Sequence, residues 1–165
     1  MILFLGCKKN DIEKIQFSSQ NRSNFHFSDS LISNYTRFNK SNNKIFKSIS
    51  DDGVYLYSWQ ERNPETIEFI VISDSEIETG HSMYYFILNK SNEVISYQHI
   101  ANYGREGTYV FDLRSQLIGN DTLILTFEQT EWWDLENNKE YSNPIIKQKQ
   151  IKTMLIDRDN TFRKM

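Results

Sequence analysis

The residues best suited to chemistry lie in one stretch, EWWDLENNKEY, at positions 131–141. Two carboxylates, Glu131 and Asp134, flank a pair of adjacent tryptophans, and Tyr141 ends the stretch. Exposed Trp and Tyr side chains anchor protein interfaces and stack on sugars, because each combines an apolar ring with a polar atom. We therefore predict a binding site that is made of Trp132, Trp133, Tyr141, Glu131 and Asp134.

The same stretch admits other interpretations. Successive residues of an extended chain point to opposite faces, so one tryptophan can enter the core while the other is exposed. Both rings can instead plug one end of a barrel. Acids beside aromatic rings are also typical of glycoside hydrolases, which need an acid and a base. Because surface loops carry acids routinely, we predict a noncatalytic domain, with a hydrolase built on Glu131 or Asp134 as the less favoured alternative.

Metal ligands and nucleophiles give weaker patterns. The three histidines, His26, His81 and His99, stand apart, whereas metal sites often use closely spaced ligands. No GxSxG elbow occurs, and GREG at 104–107 is too short to hold a phosphate. DRDN at 157–160 lacks the glycine and distal glutamate of an EF-hand loop, so we predict a turn there. We expect no metal and no cofactor.

Composition argues against a nucleic-acid partner and favours a β fold. The net charge is −3, with both signs mixed along the chain, so there is no basic groove for phosphates. Aromatic residues make up 14% of the chain, while Ala101 is its single alanine. Aromatic residues favour strands and alanine favours helices. A length of 165 residues suits one domain.

Apolar patterns predict a series of strands from residue 53 onward. The clearest hairpin joins 82–89 to 93–101 through NKSN, and Asn63-Pro64 is a turn signal. The run at 66–73 is apolar enough for a strand buried on both faces. About eight strands at short spacing predict an antiparallel meander that forms a lipocalin-like or open β-barrel. A two-sheet sandwich is the alternative.

Two local patterns add to this mainly β fold. In SDSLISNYTRF, residues 28–38, apolar side chains recur at helical spacing, which predicts a short N-terminal helix. In the strand at 53–61, Tyr55, Tyr57 and Trp59 share a face. We predict that these three rings form a core layer, with a ligand platform as the alternative.

The N-terminus carries a motif for membrane attachment. Phe4-Leu5-Gly6-Cys7 resembles a bacterial lipobox, with phenylalanine where leucine is usual. The following CKKN is similar to lipoproteins of Bacteroidota, and Asp29-Ser30-Leu31 and Asp121-Thr122-Leu123 resemble a motif that this phylum O-glycosylates in exported proteins. The resemblance implies a small lipoprotein of the bacterial cell envelope, in the outer membrane or periplasm, anchored through lipid on Cys7.

The resemblance also implies a division of the chain. Residues 1–6 are the remnant of a lipoprotein signal, residues 7–22 are a polar tether, and residues 23–165 are a single β domain. The leader is short and lacks a basic start. An accidental cysteine in an ordinary N-terminus or in a buried strand is the alternative.

Together these features predict a membrane-anchored lipoprotein whose β domain binds another protein or a small ligand. A periplasmic immunity-type inhibitor of a toxin is one form of such a protein binder. A glycan-directed hydrolase is the least favoured hypothesis, and nucleic acid is not an expected partner.

Overall fold

The computed structural model describes residues 53–75, 80–91 and 93–165. These residues form one sheet in which each strand pairs antiparallel with the next along the chain. The strands are β1 (Gly53–Asn63), β2 (Thr66–Ser75), β3 (Gly80–Asn89), β4 (Val94–Glu106), β5 (Tyr109–Ile118), β6 (Thr122–Asp134), β7 (Lys139–Ile156) and β8 (Phe162–Lys164). The predicted meander is confirmed. The helix predicted over 28–38 and the tether lie outside the described residues.

The sheet is curved and open. Its edge strands β1 and β8 do not pair with each other. Its curvature brings β8 and the preceding turn across to β3 and β4. There Ser96 Oγ donates a hydrogen bond of 2.5 Å to the Asn160 carbonyl oxygen, and the rings of Tyr85 and Phe162 meet edge-on with centroids 5.5 Å apart. The described residues form an open barrel of one sheet, so the sandwich alternative is wrong.

Arg62 links the end of β1 to two distant turns. Its Nη1 donates a hydrogen bond of 2.6 Å to the Asn120 carbonyl oxygen in the β5–β6 turn. Its Nε donates one of 3.1 Å to Asn160 Oδ1 in the β7–β8 turn. The same Nη1 lies 2.6 Å from Oε1 of Glu68, whose side chain is fully buried. One guanidinium therefore holds the opposite parts of the curved sheet together.

The main core lies on the concave face. Residues two apart on a strand point to the same side, so alternate positions of β2, β3, β5 and β6 converge there. The buried members are Ile70, Ile72, Met83, Tyr85, Ile87, Ile100, Ala101, Leu117, Leu123, Leu125 and Ile156. Tyr55 and Tyr57 pack against this core, as predicted, while the side chain of Trp59, the third ring of the predicted layer, lies outside the described part of the structure. Ile70, Val71 and Ile72 have no exposed surface, which confirms a β2 strand buried on both faces.

The predicted turns are confirmed at three places. Pro64 and Glu65 form the turn between β1 and β2, and β3 ends at Asn89 shortly before β4 begins at Val94. Asp157 organises the DRDN turn, since its Oδ1 accepts hydrogen bonds of 3.0 Å from the backbone N–H groups of Asp159 and Thr161. Its other oxygen forms an ion pair with Arg163. The acidic side chains of DRDN therefore stabilise a turn.

The polar sequence EWWDLENNKEYSNP, residues 131–144, predicts a long loop, and that prediction is wrong. Strand β6 continues to Asp134 and β7 begins at Lys139, which leaves a turn of residues 135–138. The Asp134 carboxylate accepts hydrogen bonds from the backbone N–H groups of Glu136 and Asn137, at 3.0 and 3.1 Å. Polar composition here marks solvent exposure of the hairpin and not an absence of strand.

Candidate functional site

The predicted binding residues do come together at one end of the β6–β7 hairpin. The carboxylates and tryptophans are the last four residues of β6, and Tyr141 lies near the start of β7. The rings of Trp132 and Trp133 meet edge-on, with centroids 5.5 Å apart. We call this group the hairpin-end cluster; its members are Glu131, Trp132, Trp133, Asp134 and Tyr141.

The pairing of β6 with β7 is irregular beside the two tryptophans. The register of β6 against β7 shifts between Glu131 and Trp133, and the Trp132 N–H donates a hydrogen bond of 2.9 Å to the Thr108 carbonyl oxygen. The extra residues, 141–144, lie in β7 opposite Trp132. Both tryptophan rings are half-buried, and neither is a core residue with an exposed neighbour. The Arg105 guanidinium lies 5.5 Å from the centre of the Trp132 ring, in reach of a cation–π contact.

The two carboxylates of the hairpin-end cluster are already engaged. Glu131 Oε2 lies 2.7 Å from Lys147 Nζ, and this hydrogen bond raises the pKa of Lys147. Hydrogen bonds from the side chain and backbone of Asn137, with one from the Glu136 N–H, lower the pKa of Asp134. Asp134 is thus ionised at neutral pH and occupied by the turn, so it is poorly suited to donate a proton.

Tyr141 is the remaining member of this cluster. Burial raises its pKa, and the negative charges of Asp134 and Glu131 act in the same direction. The Tyr141 hydroxyl therefore keeps its proton at neutral pH and can donate a hydrogen bond. The cluster offers half-buried aromatic rings and one neutral hydroxyl, which suits contact with another molecule better than it suits catalysis.

A second candidate site, which we did not predict from the sequence, lies on the concave face. It is an open cavity of about 550 Å³. Small-molecule sites in proteins commonly have volumes of roughly 300–1,000 Å³ and apolar walls with a few polar groups. We call it the concave cavity.

The floor of the concave cavity is apolar. It is formed by Leu113 of β5, Leu125 and Phe127 of β6, and Met154 of β7. Leu113 pairs with Phe127, so the two side chains are direct neighbours across adjacent strands. The Phe127 ring also stacks on Phe111, with centroids 6.4 Å apart. Adjacent strands thus present a continuous apolar surface to the cavity.

The rim of the concave cavity is polar and comes mainly from β7 and β8. Gln150 and Lys152 pair with the floor residues Phe127 and Leu125, and Lys164 pairs with Met154. Lys152 also shares a face with Met154, because the two are two residues apart. Neither lysine forms an ion pair with another residue that the structure describes. Two cations without a described counter-charge therefore border the apolar floor.

One feature of the β7 sequence corresponds to the concave cavity. Ile156 and Met154 occupy inward positions of β7, and Lys152 and Gln150 occupy the next inward positions toward the start of the strand. The change from apolar to polar on one face marks where the core ends and the cavity begins. That change becomes informative only when β7 is set in register against the apolar residues of β6.

His99 lies beside the concave cavity on β4. Its ring stacks on Tyr84 with centroids 4.8 Å apart, and its Nε2 is buried with no hydrogen-bond partner among the residues that the structure describes. Burial lowers the pKa of His99, so the ring is neutral at pH 7. His81 lies in β3, which begins at Gly80. Within 53–75, 80–91 and 93–165, no group of three or more His, Cys, Asp and Glu residues is placed to hold a metal.

The predicted lipidation site, Cys7, lies outside the described residues, as does Asp29-Ser30-Leu31. The motif Asp121-Thr122-Leu123 is at the start of β6, where Thr122 Oγ1 donates a hydrogen bond of 3.1 Å to Asp121 Oδ1. The part of the chain that the structure describes contains no helix long and apolar enough to cross a bilayer.

Comparisons with protein-family models, curated proteins and solved structures found no match to this chain. A functional assignment therefore depends on the geometry of the concave cavity and of the hairpin-end cluster.

Proposed function

We propose that this protein is a noncatalytic envelope lipoprotein whose open β-barrel binds a small ligand in the concave cavity. The observation that carries the proposal is the cavity of about 550 Å³, with its floor of Leu113, Leu125, Phe127 and Met154. Burying apolar surface contributes about 25 cal/mol per Å². Burial of this floor by a ligand therefore favours binding by itself, and no chemical reaction is needed.

Binding in the concave cavity can be tested with a blocking variant. Leu113→Trp places a larger side chain in the cavity from a half-buried position. We expect it to weaken binding of the neutral apolar dye phenylnaphthylamine at least about tenfold, measured from the rise in dye fluorescence. The matched control is Ile118→Trp, on the other face of β5 at a position that is 48% exposed.

Both variants should keep the far-ultraviolet circular dichroism spectrum of the original protein. Ile118→Trp should bind the dye as the original protein does. Absence of saturable dye binding, or equal binding by the two tryptophan variants, would contradict the cavity as the ligand site.

The proposed anchor is the lipid on Cys7, supported by the resemblance of Phe4-Leu5-Gly6-Cys7 to a lipobox. More than one acyl chain gives stable membrane attachment. In a bacterial host, Cys7→Ser is expected to lose labelling by fatty acid and to leave the membrane fraction. Unchanged membrane association of this variant would contradict the lipoprotein proposal.

Binding of a protein partner is the second candidate function, and the hairpin-end cluster favours it. Its paired tryptophan rings are half-buried at the end of a hairpin, with Arg105 over Trp132. A periplasmic immunity-type inhibitor of a toxin is one form of this function. The third alternative, a glycan-directed hydrolase, gains little support because Glu131 is paired with Lys147 and Asp134 holds a turn.

Affinity capture separates the first two functions. The full chain should capture a partner from the source cell envelope, and Trp132→Ala/Trp133→Ala should lose it while remaining folded. Equal capture by both proteins would remove the hairpin-end cluster from consideration.

A further inference from the structure

We propose that the ligand of the concave cavity is a single-chain amphiphile with an anionic headgroup, which Lys152 and Lys164 bind at the rim. This inference rests on the proposed function, because it names the ligand class of that same cavity. The apolar chain covers the floor, and the carboxylate or phosphate of the headgroup lies between the two ammonium groups.

Lys152 occupies a position where the strand pattern calls for an apolar residue. Met154 and Ile156 follow it on the same face of β7 and belong to or pack against the core. Its partner on β6 is Leu125, which is buried. A lysine can lay its apolar stem on such a surface and keep its charge in water. Its ammonium group is thus placed at the edge of an apolar floor.

Lys164 brings a second cation to the same edge. It pairs with Met154, two residues from Lys152, so the two lysines are diagonal neighbours on one face of the sheet. Side chains in this relation have Cβ atoms about 7–8 Å apart or slightly less. Flexible lysine side chains can converge from that spacing on one carboxylate or phosphate.

The other lysines of this part of β7 show that the rim pair is unusual. Lys147 Nζ lies 2.7 Å from Glu131 Oε2, and Lys149 Nζ lies 2.5 Å from Glu128 Oε1. Lys152 and Lys164 have no such partner in the described residues. Unpaired cations therefore occur at the cavity rim, in a chain whose net charge is −3. This placement gives charge complementarity to an anionic ligand.

The floor argues for an acyl or alkyl chain in place of a sugar or a nucleotide. Leu113, Leu125, Phe127 and Met154 offer no hydrogen-bond donor or strong acceptor. Of the rim amides, Gln98 already donates a hydrogen bond of 2.9 Å to the His99 carbonyl oxygen. Polar ligands would leave many groups unpaired on this floor, whereas a hydrocarbon chain leaves none.

The test measures displacement of phenylnaphthylamine from the full chain by three competitors that carry the same chain. They are oleate, oleoyl lysophosphatidate and the neutral oleyl alcohol. We expect both anions to bind more tightly than the alcohol. Lys152→Gln and Lys164→Gln should each weaken oleate binding about two- to fivefold and leave binding of the alcohol unchanged.

Lys149→Gln is the matched control, since it removes the same charge from the opposite face of β7, where Lys149 contacts Glu128. It should bind all three competitors as the original protein does. If Lys152→Gln and Lys164→Gln weaken only the binding of lysophosphatidate, the headgroup is a phosphate. If they weaken only the binding of oleate, it is a carboxylate. Both results support the inference.

Two results overturn the inference while the proposed function stands. One is that oleate, lysophosphatidate and oleyl alcohol bind with equal affinity in every variant. The other is an equal loss of all three ligands in the Lys152→Gln and Lys164→Gln variants, which would mean that the lysines shape the cavity without recognising charge. If neither the dye nor any competitor binds saturably, the proposed function and the inference fail together.

Discussion

At the scale of single residues, the contact between Arg62 and Glu68 is the strongest candidate for a determinant of stability. Glu68 is fully buried, its Oε1 lies 2.6 Å from Arg62 Nη1, and its Oε2 accepts a hydrogen bond from Gln60. Removing one partner of a buried ion pair is costly because the other charge stays buried. We expect Arg62→Met to lower the free energy of unfolding by about 3 kcal/mol, measured by urea denaturation.

The control for this prediction is the double variant Arg62→Met/Glu68→Gln. It removes both charges and should recover part of the lost stability. A double variant as unstable as Arg62→Met would show that the hydrogen bonds from Arg62 to Asn120 and Asn160 carry the effect.

His99 gives a residue-scale prediction about pH. Burial lowers its pKa from the ordinary value of 6.5. As pH falls below about 6.5, the unfolded chain takes up a proton at His99 while the folded protein does not, so stability decreases. We expect His99→Gln to lose less stability than the original protein between about pH 7.5 and pH 5.5, measured by urea denaturation.

The pH range in which His99 changes the stability of the protein is separate from the range in which the carboxylates change it. Hydrogen bonds lower the pKa of Asp157 from its ordinary 3.8, as they do for Asp134, so the stability these groups supply is lost only in stronger acid. An identical pH dependence in the original protein and in His99→Gln would show that other groups control stability near neutral pH.

Residue types alone identified the hairpin-end cluster, but they did not predict its geometry. Strict alternation places Trp132 and Trp133 on opposite faces, whereas their rings meet edge-on beside a register shift between β6 and β7. A register shift depends on the pairing of two strands, which no single stretch of sequence contains. The pairing of Glu131 with Lys147 was hidden for the same reason.

At the scale of elements, the β6–β7 turn depends on a residue in an unusual conformation. Asn138 has a φ of 50°, in the left-handed region that asparagine and glycine tolerate and β-branched residues avoid. We expect Asn138→Val to lower the free energy of unfolding by about 1–2 kcal/mol, and Asn138→Gly to keep it nearly unchanged. Urea denaturation of the two variants, which differ only at this site, measures the difference. Equal stability would show that the turn can relax.

Strands that bury one face were predictable, and the exposed start of β7 was not. In β2 and β6 the apolar residues alternate or run continuously, because they fill the concave core. Residues 142–152 of β7 are exposed, so burial imposes no apolar pattern on them. Their strand structure comes from pairing with β6 and from cross-strand ion pairs such as Lys149 with Glu128. The polar composition of residues 139–144 therefore predicted a loop, whereas the rest of β7, from residue 146 to Ile156, was predicted as a strand.

At the scale of the whole molecule, the number and order of strands were predictable and the shape of the sheet was less so. Short connections make sequential antiparallel pairing the simplest topology. The curvature accompanies register shifts, such as those between Leu56 and Ser58 and between Met83 and Tyr84. The concave cavity exists because this curvature brings β4 and β8 near each other, so its residues could not be grouped from sequence spacing.

The last prediction concerns the link between ligand binding and the stability of the whole sheet. The concave cavity is lined by residues from β4 to β8, so a ligand that fills it contacts strands that unfolding would separate. A ligand that binds only the folded state adds about 2.7 kcal/mol at a hundred times its dissociation constant. We expect oleate at that concentration to raise the urea midpoint of the original protein and of Ile118→Trp. Leu113→Trp, whose affinity is expected to be at least about tenfold lower, should gain about 1.4 kcal/mol or less and show a clearly smaller shift. A shift of the same size in Leu113→Trp would place the bound ligand elsewhere on the molecule.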